Sequence, residues 1–133
     1  MATGLENLKV YILASELDVH VHNLTKTFPS DEKYRSVDQL RRSSSSVTNN
    51  IAEAYNKRSL KEKVRILSDI VKGEAEETKR NLEMCLKKSF HADSTLIEKY
   101  TELLKMVSGY IRFLQKKNLQ TYQLKAQRNL PTV

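Results

Sequence analysis

Leu40 to Arg58 reads LRRSSSSVTNNIAEAYNKR, with four consecutive serines and, after two residues, a pair of asparagines. That composition suits a flexible linker, which would cut the chain near its middle. The spacing of the residues argues otherwise. Val37, Leu40, Ser44, Val47, Ile51 and Ala54 advance by three and four in alternation, the step of a helical seam. The serines continue this seam, because a helical serine can return its hydroxyl to a carbonyl one turn back. Ser44 is then a small residue that lets another helix come close.

Outward from this segment the chain is short of breaks. Its 133 residues include three glycines and two prolines, and 39% are hydrophobic against 29% charged. These values predict one domain with its own core, built from long helices. The first helix is expected at about 5–28. It carries two apolar stripes, Leu5, Leu8, Ile12 and Val19 beside Val10, Leu13, Leu17, Val21, Leu24 and Phe28. A face that wide is covered on two sides, and in a small bundle the second cover is often another subunit. Pro29 stops this helix, and a second is predicted over 31–57, with Asp31 and Glu32 suiting its positive end.

Ser59 and Glu62 form a capping-box pattern that opens a third helix over 60–90, seamed by Leu60, Val64, Leu67, Val71, Ala75, Thr78, Leu82 and Cys85. Gly73 lies inside it, and a close helix contact would offset its cost. Thr95 and Glu98 predict a second capping box and a fourth helix over 95–118. Residues 119–133 read as a basic tail, partly helical and then disordered. Four helices with short connections predict an all-α, antiparallel up-down-up-down four-helix bundle over 1–118.

Charge is unevenly placed. The formal net charge is +7, yet residues 1–56 hold six Lys/Arg against seven Asp/Glu. The excess lies in 57–133, and from Ile111 onward there are five basic residues and no acid. Such a surplus attracts polyanions, nucleic acid first among them. The opening residues show no basic leader, and no apolar run is long enough for a membrane span, so the expected location is cytoplasmic, away from membranes. Cys85 reads as a buried small hydrophobe.

Several motifs resemble those of a known family. Tyr11 with Ala14, Phe28-Pro29, Glu32, Gln39-Leu40-Arg41-Arg42 and Asn50-Ile51-Ala52-Glu53 are similar to the signature of four-helix-bundle proteins encoded in intervening sequences of bacterial 23S rRNA genes. The resemblance spans about residues 8–116. Ala54 stands where the family pattern has glycine, and serines stand where it has alanines after the arginine pair. The resemblance implies a homopentameric ring of four-helix protomers. In a broad sense the same family includes Avd, the accessory protein of diversity-generating retroelements, so it also implies an alternative role as a scaffold that docks a reverse transcriptase.

The candidate nucleic-acid or partner-binding residues are Arg41 and Arg42, then Lys57, Arg58, Lys61, Lys63 and Arg65 around one helix junction, and Arg112, Lys116 and Lys117 near the tail, which also carries Lys125 and Arg128. Arg41 and Arg42 have a second reading as salt-bridge partners of Glu53, Glu76 or Glu77. Asn50 and Glu53 read as a buried polar network that fixes helix register. Tyr55 and Tyr122 are candidate base contacts. His20 and His22 point apart on a helix and His91 stands alone in a connection, so no metal site is expected. With no nucleotide-binding glycine loop and no nucleophile motif, the expectation is a non-enzymatic protein without cofactors. RNA or DNA, and further copies of itself, are the expected partners.

Overall fold

The computed structural model describes residues 4–129. Those residues form four long helices and no strand. Helix α1 is Lys9–Thr25, preceded by one 3-10 turn at Leu5–Asn7. Helix α2 is Ser36–Asn56, with another 3-10 turn, Ser30–Glu32, in the connection before it. Helix α3 is one rod of three segments, α-helical Leu60–Arg65, a π-helical stretch Ile66–Val71, and α-helical Lys72–Lys87. Helix α4 is Ser94–Arg128.

Each helix packs on the next, and α4 returns to α1. The cross-helix pairs run in opposite senses. Arg41 meets Thr25 while Ser44 meets Asp18, and Ser43 meets Thr78 while Lys63 meets the end of α2 at Tyr55. Neighbouring helices are therefore antiparallel, and the α2–α3 connection lies at the end of the bundle opposite the α3–α4 connection.

The serine run is continuous helix. All six residues of the seam from Val37 to Ala54 are buried, and Ser43 joins them. Ser44 donates to Asp18 Oδ1 on α1 at 3.1 Å, and Ser45 donates to the same oxygen at 3.2 Å. Ser43 Oγ and Thr78 Oγ1 on α3 pair at 2.7 Å. Buried hydroxyls are costly without partners, so these pairs hold α1 and α3 at one axial register on α2. That role was expected of Asn50 and Glu53, which do not fill it. Asn50 donates to the Ser46 carbonyl within its own helix, and Glu53 is exposed beside Lys57.

Helix ends differ from the sequence expectation at several points, and α2 begins at Ser36 rather than near Asp31, which lies in the 3-10 turn Ser30–Glu32. α1 stops at Thr25, and Phe28 instead leaves the helix to pack against Phe90 at 5.6 Å and to stack on His91 at 6.0 Å. α3 ends at Lys87, where the Phe90 amide donates to the Cys85 carbonyl and the Ser89 amide to that of Leu86, with Ser89 at φ 65°. This is a Schellman closure with a serine in the left-handed position that glycine usually takes. Asp93, rather than Thr95, caps α4, its Oδ1 accepting from the Leu96 amide at 3.0 Å. Ser59 does cap α3 as expected, accepting from the Glu62 amide at 3.1 Å.

Two of the three histidines also come together. His20 Nε2 lies 2.7 Å from Asp93 Oδ2, the Asp93 amide donates to His91 Nδ1, and His91 Nε2 reaches the Leu82 carbonyl. Burial opposes ionisation of Asp93, but the Leu96 amide and His20 outweigh it and hold the carboxyl below its usual range. The cluster ties the α3–α4 connection to α1. No group of side chains suited to a metal ion occurs among the described residues.

Two expectations about small residues meet opposite outcomes. Ser44 is almost fully buried on the seam. Gly73 is exposed, and a Cβ added there would meet nothing within 4 Å, so no close helix contact requires it. Ser44→Leu is therefore expected to lower unfolding free energy by about 1–3 kcal/mol through overpacking. Gly73→Ala is expected to raise it by about 1 kcal/mol. Urea denaturation of the two variants beside the parent checks both signs.

Candidate nucleic-acid interface

The ten candidate cations divide into those that hold the bundle together and those that face outward. Arg41 belongs to the first group. Its Nε donates to Thr25 Oγ1 at 2.9 Å and its Nη2 to the His22 carbonyl at 3.3 Å, and Thr25 Oγ1 in turn donates to the Val21 carbonyl. The guanidinium caps the C-terminal end of α1, where the helix dipole favours a cation. Neither Glu53, Glu76 nor Glu77 is its partner.

Lys63 does the same for α2. Its ammonium donates to the carbonyls of Tyr55 at 2.8 Å and Ala54 at 3.3 Å, and lies 5.7 Å from the Tyr55 ring centre. Burial pushes its pKa down from the ordinary lysine value. Tyr55 is half-buried and already carries this cation, so it is not an open platform for a base.

Local acids accompany three more candidates. Arg42 pairs with Asp38 at 3.6 Å, Lys57 with Glu53 at 3.8 Å and Arg65 with Glu62 at 3.1 Å. The hydrogen bond and charge of Arg65 hold the Glu62 carboxyl below its usual range. These pairs are solvent-exposed and weak, so a polyanion can displace the acid. Arg58, Lys61, Arg112, Lys116 and Lys117 are exposed and form no ion pair among the described residues.

Folding brings two of the sequence clusters to one place. Because α3 starts where α4 leaves the bundle, Arg58, Leu60 and Lys63 share a groove with Leu114, Lys117, Asn118 and Thr121. The junction cations and the tail cations thus form one positive end. Arg42 stands apart, on a polar groove between α2 and α3 with Gln39, Ser43, Ser46, Glu74 and Glu77. Arg112 lies between α3 and α4 with Lys72, Glu76 and Lys105.

α4 does not end near 118, nor do residues up to Arg128 form an irregular arm. The expected disorder from 130 onward lies outside the described residues. Every residue from Gln115 to Asn129 is exposed. The thinning of the apolar pattern after Leu114 therefore marks where the bundle ends, not where the helix ends. Lys117, Thr121, Lys125 and Arg128 advance by four, four and three, a helical step that gave the available signal.

Residues 6–109 match the family model described as 23S rRNA-intervening sequence protein. The chain belongs to this family. A crystal structure of a protein of unknown function from the S23 ribosomal protein family, from Bacteroides thetaiotaomicron, is similar with 26% sequence identity and a TM-score of 0.70. The similarity covers 77% of this chain and 97% of that one. None of the curated proteins compared matches. The family match ends before Arg112, so most of the exposed part of α4 lies beyond it.

The two groups of cations separate experimentally. Arg41→Ala is expected to cost about 1–2 kcal/mol of stability through removal of the cap, whereas Arg58→Ala should stay within about 0.5 kcal/mol of the parent. Thermal and chemical denaturation measure both.

Proposed function

We propose that this protein is a non-enzymatic, oligomeric nucleic-acid-binding protein that holds phosphates at the positive end of its bundle with little sequence preference. The observation that carries this reading is the groove shared by Arg58 and Lys117, which joins two basic segments distant in sequence. Lys57 and Lys61 flank it. Lysine and arginine contacts of this kind fix position on a nucleic-acid backbone and carry no sequence information.

Oligomerisation belongs to the same proposal. On the outer stripe of α1, Ile12 is 39% exposed and Val19 61% exposed, so the chain's own helices leave this face open. A second copy covering it, repeated around the homopentameric ring that the family resemblance implies, would place several positive ends on one assembly. Their fields would add.

Binding of short RNA and DNA should weaken by about tenfold or more between roughly 50 and 200 mM salt, as displaced counterions compete for a few phosphate sites. Reversing the charge of Lys57, Arg58 and Lys61 together should abolish most of it while leaving the fold intact. No detectable binding of either nucleic acid at about 50 mM salt would overturn the reading and leave the positive end to a protein partner, such as the reverse transcriptase of the scaffold alternative.

A further inference from the structure

We infer that the projecting part of α4 is a helical arm for single-stranded nucleic acid, with the backbone following one cationic face and a base stacking on Tyr122 at its border. This inference rests on the proposed phosphate binding and names the form of nucleic acid and the surface it uses.

The arm begins where packing stops. From Gln115 to Arg128 it runs about 21 Å at 1.5 Å per residue, with no side chain buried. A helix that short without a packed face is marginal in water. Its charges add to the difficulty. Arg112 and Lys116 are one turn apart, as are Lys125 and Arg128, and the segment has no acid to relieve either repulsion. An anion lying along the arm removes that cost.

The cations mark a direction. Lys117, Thr121, Lys125 and Arg128 share one face, and its first two members line the groove that contains Arg58 and Lys63. The face therefore extends the positive end of the bundle outward without a gap. From Lys117 to Arg128 it covers about 16 Å along the helix axis.

The borders of this face are apolar, and they select the form of the ligand. Phe113, 59% exposed, precedes Lys117 by one turn, and Leu124 continues that edge. Tyr122, 71% exposed, lies about 60° around the helix from Lys125. A duplex keeps its base faces stacked inside and offers these side chains nothing. An unpaired strand presents base faces beside its phosphates, and aromatic side chains next to a cationic track are the surface it needs.

The test uses the full-length protein, a single-stranded oligouridine, an oligothymidine of equal length, and a duplex. Binding should favour the single strands over the duplex. Tyr122→Ala should weaken single-strand binding by about fivefold to a hundredfold, with Tyr122→Phe close to the parent. Replacing Lys125 and Arg128 by glutamine should reduce the salt slope by about 0.7 for each phosphate no longer neutralised. Uridine and thymidine strands bound alike would place recognition in phosphates and base faces, as inferred, whereas a large preference for either would overturn that mode of recognition. Duplex binding as tight as single-strand binding, with no response to Tyr122→Ala, would overturn the inference while the salt-dependent binding of the broader reading survived. Absence of all binding would remove both. A change in particle mass on Tyr122→Ala, measured by light scattering, would assign the aromatic edge to subunit contact and also overturn the inference.

Discussion

Hydroxyl groups in the middle of α2 set the positions of the helices on either side. Ser44 and Ser45 reach Asp18 on α1, and Ser43 reaches Thr78 on α3. Apolar contacts alone leave antiparallel helices some freedom to slide, since one leucine packs nearly as well as the next. The hydroxyls are less forgiving, because a slip of one turn would leave them only the carbonyls of their own helix and would strip the Asp18 carboxylate of both serine donors. The remainder of the architecture follows. With α1 and α3 held against α2, the C-terminal ends of α1 and α2 fall where Arg41 and Lys63 can cap them. The end of α2 also comes to lie beside the exit of α4, which assembles the positive groove.

This dependence explains which basic residues are available for a ligand. Arg41 and Lys63 look like their neighbours in a linear sequence, yet their donors are occupied by carbonyls at helix ends. Arg58, Lys61 and Lys117 are exposed and form no ion pair among the described residues. The outward charge is therefore what remains after the fold has taken the cations it needs.

Much of the bundle was legible in the sequence. The seam from Val37 to Ala54 gives α2 because every third or fourth residue there is apolar or small, and all of them are buried. Ser59 reads correctly as a cap because its partner is local. The misses involve partners distant in sequence, or steps that a simple period does not register. Nothing local pairs Ser43 with Thr78, or His20 with Asp93. Leu60 and Val64 fit a helical seam in the sequence but are only half-buried, since the π-helical turn at Ile66–Val71 rotates them out and buries Ile66 instead. For α4, apolar periodicity reports packing, and the helix continues after its packing has ended.

The π-helical turn has a consequence for how the surface of this fold can change. It accommodates one more residue than a regular turn would, between a front half of α3 that carries Lys61, Lys63 and Arg65 and a rear half locked to α2 through Thr78. Removing one residue from Ile66–Val71 would restore an ordinary helix and leave both halves in place, because the wide turn has already absorbed the extra residue. The same deletion elsewhere in α3 would turn one half against the other by about 100°. The wide turn is thus the one point of α3 where a residue can be lost without re-aiming its charged front.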